Sequence, residues 1–226
     1  MNKAQSINMY PSVDPFYFVN PSSILIVGPS GCGKTVFVEK CLKERSHLFP
    51  QAPDCVHYCY GIWQDKYRDF QKQGLHLHQG IPSSPDLTRW YQPSGGGLLV
   101  LDDLMDEGSN DKRVLDLFTK DSHHRNVTVL YLCQDMFPPG KYAKTISRNA
   151  HYIVAFKNPR DQLGVRNLAL QCFPKEWASV LEAYQDATTR PYGYLLFDLH
   201  PSSQDGQRLK GNVLQNEGYT CLYATQ

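Results

Sequence analysis

Apolar residues in this chain fall into short unbroken blocks, separated by stretches where they recur at helical spacing. The blocks at 24–27, 56–60, 98–102, 127–133, 152–156 and 194–199 are predicted as strands. Several are continuous rather than alternating, the pattern of strands covered on both faces. The stretches at 35–45, 65–73, 114–121, 161–169 and 175–184 carry the helical period. Strands that alternate with helices predict an α/β three-layer sandwich, a mostly parallel sheet between two helical layers. Pro82-Ser83-Ser84-Pro85 reads as a turn leading into a helix near Asp86, and Pro138-Pro139-Gly140 closes another loop. A last apolar stretch, 219–223, is expected to form a short C-terminal hairpin with the strand before it. Residues 1–20, rich in Asn, Ser, Tyr and Pro, read as an extended arm, and 21–226 as one domain.

The first strand block runs directly into Gly28-Pro29-Ser30-Gly31-Cys32-Gly33-Lys34-Thr35, a complete GxxxxGK[ST] motif, and a helical stretch follows it. Strand, glycine-rich turn and helix are the setting in which this motif binds phosphate. The glycines let backbone N–H groups curl around a β-phosphate, and the helix N-terminus adds partial positive charge. Lys34 is placed to reach the β- and γ-phosphates and the Thr35 hydroxyl to ligate Mg²⁺. The fold expectation is therefore a P-loop NTPase that binds ATP with Mg²⁺.

The block at 98–102 ends in two acids, Asp102 and Asp103. One carboxylate at a strand tip can hold a metal shell, and a second can take a proton from an attacking water. Asp102 is assigned to the metal and Asp103 to the water. The next strand block ends at Gln134, whose amide can both donate to a phosphate oxygen and accept from water. A glutamine there could sense the γ-phosphate or cap a loop, and its position alone leaves both open.

At 226 residues the chain has ample length for one α/β domain. Lys plus Arg is 23 against 22 for Asp plus Glu, a formal charge of +1, so any contact with nucleic acid is expected to be local. No apolar run approaches the roughly 18 residues of a membrane span, and 1–20 lack the order of a secretory signal. An intracellular protein without a membrane anchor is expected. The seven cysteines are odd in number and scattered, which suits reduced buried side chains rather than disulfides or zinc.

Phosphate loop, strand with two terminal carboxylates, then strand ending in Gln resembles the FtsK/HerA class of ring ATPases. More narrowly the chain looks like viral genome-packaging ATPases of the poxvirus type, especially those of Polinton/Maverick elements. The matching segments are Cys59-Tyr60-Gly61-Ile62-Trp63-Gln64, 98–103, 132–135, 146–159 and 190–212, so the similarity covers roughly residues 20–215. The resemblance implies ATP hydrolysis, translocation of double-stranded DNA into a capsid, and a homo-oligomeric ring of five or six subunits. It also supports Gln134 as γ-phosphate sensor and implies a capsid or portal partner and a location in the host nucleus or a cytoplasmic assembly site. A ring implies an arginine reaching the neighbour's γ-phosphate, for which Arg125 and Arg148 are the candidates. Lys141, Lys144, Lys157 and Arg160, in loops between late strands, are candidates for DNA contact. A small-molecule kinase or a helicase-type remodeller is the competing reading; a guanine-reading Asn-Lys-x-Asp segment is absent.

Overall fold

The computed structural model describes residues 7–92 and 95–224. Ten strands occur among them: β1 (Asn8–Pro11), β2 (Ser23–Val27), β3 (Val56–Tyr60), β4 (His76–Gln79), β5 (Gly97–Asp102), β6 (Val127–Cys133), β7 (Tyr152–Phe156), β8 (Tyr194–Asp198), β9 (Leu209–Gly211) and β10 (Cys221–Ala224). The helices are α1 (Lys34–Lys43), α2 (Arg45–Leu48), α3 (Tyr67–Lys72), α4 (Ser84–Trp90), α5 (Met105–Gly108), α6 (Lys112–Asp116), α7 (Ser122–His124), α8 (Ala143–Arg148), α9 (Gln162–Cys172) and α10 (Trp177–Ala187). A π-helical turn, Leu117–Asp121, joins α6 to α7.

The strands form one sheet in the order β1-β10-β9-β8-β7-β2-β6-β5-β3-β4. From β7 to β4 all neighbours are parallel. From β8 to β1 they are antiparallel. Side chains alternate across each strand, so every central strand feeds two cores. Ile24, Ile26, Val100, Leu130 and Val154 pack on one face against Phe37, Val38 and Cys41 of α1. Leu25, Val27, Leu99, Leu101, Val129 and Ile153 pack on the other against Leu168 of α9 and Val180 of α10. The mostly parallel three-layer sandwich expected from the strand pattern is the observed fold.

All six predicted strands and the five helical stretches are present, with boundary shifts of one to three residues at most termini. The stretch at 114–121 is instead divided between α6 and the π turn. The final hairpin forms, but its partner is β9, whose three residues carry no apolar block. Strands β1 and β4 leave no mark in the apolar pattern for the same reason: Asn-Met-Tyr-Pro and His-Leu-His-Gln lack an apolar run, and edge pairing alone makes them strands.

Residues 1–6 of the expected arm lie outside the described residues. Asn8–Pro11 pairs along β10, and Phe16 and Phe18 turn inward. Phe18 meets the Tyr152 ring edge-on at 5.0 Å and stacks on Phe49 at 5.6 Å, and the Val19 N–H donates to the Tyr152 hydroxyl. Each buried ring contributes about 2 kcal/mol, enough to hold this segment against the sheet. Among the described residues no helix is long and apolar enough to cross a membrane.

Two histidines are built into the fold in neutral form. His57 lies between the Trp90 ring at 4.1 Å and the His76 ring at 4.9 Å. Burial, reinforced by His76 and His78, lowers its pKa to about 4. His151 accepts the Ser23 N–H at Nδ1, and burial with His200 and His123 nearby lowers it to about 4 as well. Both titrate near 6.5 when unfolded, so the unfolded chain binds more protons between these values. Their contribution is fully present above about pH 6.5 and is lost as the pH falls toward 4. Urea midpoints should therefore decline steadily from pH 7 to 4.5, and the decline should flatten in a His57→Gln, His151→Gln variant; a pH-independent midpoint would contradict this.

Candidate active site

The parallel strands present their carboxyl ends along one edge of the sheet, where open α/β sheets place ligands. Register brings three of those ends level. Val27 of β2 pairs with Cys133 of β6, and Leu101 of β5 pairs with Tyr131 of β6. The Gly28 N–H then donates to the Cys133 carbonyl at 3.2 Å, which pins the start of the phosphate loop to the tip of β6.

Beyond Gly28 the loop curls into the N-terminus of α1. Gly33 caps that helix in a left-handed conformation, φ 110°, that a side-chain-bearing residue resists. Lys34, the first helical residue, folds back so that its Nζ donates to the Gly28 and Pro29 carbonyls, the latter at 3.0 Å. Cys32 lies within the loop as a thiol, because burial raises its pKa and Lys34 only partly offsets that. Burial likewise pushes Cys133 up to about 12, so neither sulfur is a nucleophile at neutral pH.

Asp102 and Asp103 are adjacent, yet their environments differ. Asp102 ends β5 and is buried, and its Oδ2 accepts hydrogen bonds from the Tyr58 hydroxyl at 2.5 Å and the Tyr67 hydroxyl at 3.5 Å. The carboxylate is therefore held in one orientation. Burial, together with the nearby Asp102 carboxylate, drives both phenol pKa values far up, which keeps both hydroxyls as donors. Asp103 lies past the strand in a left-handed conformation, φ 58°, and is exposed. Strained backbone of this kind gathers at functional sites. Its carbonyl approaches Gly61 so closely that a Cβ there would sit 2.2 Å away. Only glycine fits beside it.

Gln134 follows β6 directly, with its N–H on the Met105 sulfur at 3.3 Å. Because β6 lies between β2 and β5, Gln134 is placed between the phosphate loop and the acids. A single cavity of about 950 Å³ is lined by Ser30, Gly31, Gly33, Lys34, Thr35, Asp102, Asp103 and Gln134. Gly28, Pro29 and Cys32 complete the loop without lining this cavity.

The two arginines are elsewhere. Arg125 precedes β6 and donates to the Thr88 hydroxyl at 2.9 Å; the seven residues of β6 put about 20 Å between it and Gln134. Arg148 ends α8 and lines a second cavity of about 640 Å³ with Lys144, Phe137 and Gln171. Lys141, Lys157 and Arg160 are exposed in the loops that follow β6 and β7.

Several residues of the site escape sequence reasoning. Tyr58 and Tyr67 steer Asp102; a tyrosine inside an apolar strand does signal a hydroxyl that needs a partner, but not which one. Arg190, Tyr192, Asn212 and Asn216 line the far half of the cavity. Their loops carry no motif that joins them to the phosphate loop.

No family model matches this sequence, and no curated protein matches it. Solved structures do. The genome packaging NTPase B204 from Sulfolobus turreted icosahedral virus 2, in complex with ATP-γ-S, aligns with a TM-score of 0.53 at 13% identity, over 85% of this chain and 96% of that one. The same protein in complex with sulfate aligns with a TM-score of 0.55 at 12% identity, over the same shares of each chain. At that identity the likeness is one of fold: this chain has the three-layer α/β fold of a viral genome-packaging NTPase.

Removing the Tyr58 hydroxyl should loosen Asp102 without emptying the core. On the nucleotide-hydrolysing function proposed below, Tyr58→Phe is expected to lower turnover about 10-fold, the usual cost of losing an outer partner of a functional carboxylate. The chain should still fold, with a melting temperature lower by a few degrees because a buried carboxylate loses its nearest donor. Wild-type turnover in that variant would show that the hydrogen bond has no part in positioning.

Proposed function

We propose that this chain is the ATPase subunit of a ring motor that moves double-stranded DNA into a viral capsid. The carrying observation is that Lys34, Thr35, Asp102, Asp103 and Gln134, far apart in sequence, line one cavity at the aligned tips of three strands. The fold shared with B204, a packaging NTPase captured with an ATP analogue, supports the same reading. So does the resemblance of the motifs to the FtsK/HerA class and its poxvirus-type members.

The loop N–H groups cradle the β-phosphate, and Lys34 exchanges the Gly28 and Pro29 carbonyls for phosphate oxygens. The Thr35 hydroxyl and the tyrosine-held Asp102 carboxylate are hard oxygen donors that suit Mg²⁺. An ion held by these two groups would supply neutralisation of phosphate charge. Asp103, exposed beside them, takes the proton of the attacking water. Gln134 distinguishes the presence of the γ-phosphate from its absence by its paired donor and acceptor.

Arg125 and Arg148 both lie outside this subunit's cavity, as a residue that serves the neighbouring subunit must. One of them completes the neighbour's site and passes the change at the γ-phosphate across the ring. With a formal charge of only +1, the chain grips DNA locally. Lys141, Lys144, Lys157 and Arg160 supply contacts to backbone phosphates, which carry no sequence information and suit a motor that must ignore it. A capsid or portal protein docks the ring, at a viral assembly site in the nucleus or cytoplasm of the host.

Lys34→Ala is expected to weaken ATP binding by about 10- to 100-fold, the worth of one lost charge-assisted contact. Asp103→Asn should bind ATP normally but turn it over about 100-fold more slowly or worse, the scale of a lost general base. Calorimetry and phosphate release measure the two, and wild-type turnover in Asp103→Asn would overturn its assignment. Duplex DNA should raise the ATPase rate, and that stimulation should fall steeply between 50 and 200 mM salt. A rate indifferent to DNA would favour a kinase-like enzyme instead.

A further inference from the structure

The order of the sheet gives a bound nucleotide a direction. The groups suited to the terminal phosphate, Asp102, Asp103 and Gln134, come from β5 and β6, on one side of β2. Strands β7, β8 and β9 lie on the other side. A triphosphate seated on the loop after β2, with its γ end toward β6, therefore sends its ribose and base over β7 toward β8 and β9. The cavity continues in that direction. Its far wall is made by Tyr192, Leu214, Asn212 and Asn216, from the segments that lead into β8 and follow β9.

This wall is strained and hydrogen-bonded from behind. Tyr192 holds φ 62° and Asn212 holds φ 52°. For a bulky aromatic residue the left-handed region is a genuine outlier, and such strain persists where the surroundings over-determine it, commonly at ligand clamps. The surroundings here are specific. The Gly193 N–H donates to the Arg190 carbonyl at 3.0 Å, and a Cβ on Gly193 would lie 2.3 Å from the Ala187 carbonyl. Behind the wall, Glu44 of the α1–α2 junction accepts the Gln215 N–H and the Asn216 amide, each at 3.0 Å. The Tyr194 hydroxyl donates to Glu217 at 2.6 Å. Despite this framework Tyr192 is 71% exposed. Its ring borders the phosphate loop, where a Cβ on Gly33 would come within 3.2 Å of it.

We infer that Tyr192 is the base-stacking residue of the nucleotide site: its strained backbone holds an open aromatic face beside Gly33, on the side of the loop away from Asp102 and Asp103. The ligand class it takes is a planar heteroaromatic base attached to the phosphates through a sugar. This inference rests on the nucleotide-binding reading above and adds to it the element that separates a nucleotide from a bare polyphosphate. Tyr192 is a positioning residue, since it touches no reacting atom.

The test compares ATP with inorganic tripolyphosphate, which keeps the phosphates and lacks the base, by calorimetry on the full chain. The wild type should bind ATP more tightly than tripolyphosphate. Tyr192→Ala should weaken ATP by roughly 10-fold, the scale of one lost base–aromatic stack, and leave tripolyphosphate unchanged, while Tyr192→Phe keeps wild-type affinity for both. Equal weakening of both ligands by Tyr192→Ala would mean that the ring only buttresses the loop, and would overturn the inference. Unchanged ATP affinity in Tyr192→Ala, or a Tyr192→Phe variant as weak as Tyr192→Ala, would overturn it too. A wild type that binds tripolyphosphate and ATP equally sinks the inference alone; one that binds neither sinks the nucleotide site with it.

Discussion

The site depends on one strand being wedged between two others. With β6 paired to both β2 and β5, the phosphate loop and the acidic tip stand two strand spacings apart, roughly 10 Å. That gap is wide enough for a terminal phosphate and a water to lie between them. The Gly28 N–H bonded to the Cys133 carbonyl continues the ladder one residue past the strand, so the loop begins at a fixed height relative to Gln134. A slip of one residue in the β2–β6 register would invert the faces of β2 and move the loop off that height together. The hydrophobic alternation that sorts Ile24 and Ile26 from Leu25 and Val27 thus guards the geometry of the chemistry.

Within that frame, one peptide unit separates two carboxylates with opposite surroundings. Asp102 still belongs to the strand, and the pleat turns it inward to the tyrosines of β3 and α3. Asp103 has left the strand, and its positive φ swings it out toward solvent. A group clamped by hydroxyl donors suits a fixed ligand role. An exposed neighbour is open to solvent water. The division of labour proposed for the pair follows from the point at which the ladder stops.

Central strands were legible because burial on both faces leaves unbroken apolar blocks, as in Leu98–Leu101 and Val127–Cys133. The edge strands were not. Asn8–Pro11 becomes a strand only by pairing with β10 at the other end of the chain, and His76–Gln79 only by pairing with β3, which no local pattern records. The same division holds for the site. Lys34, Thr35, Asp102 and Asp103 announce themselves through motif and strand end. Tyr58, whose hydroxyl steers Asp102 from the adjacent β3, reads in sequence as one more core aromatic. Tyr192 lies in an ordinary Arg-Pro-Tyr-Gly turn, and its place beside Gly33 emerges only once β8 folds against β7.

The cluster around Tyr67 has an optical consequence. Trp63, two residues past the glycine that abuts Asp103, packs edge-on against Tyr60 at 5.6 Å and against Tyr67 at 5.7 Å, with 42% of its surface in water. It is one of three tryptophans in the chain, and its indole touches the ring whose hydroxyl reaches Asp102. The protein thus carries a native indole one ring away from Asp102, placed beside the acidic strand tip without any added dye.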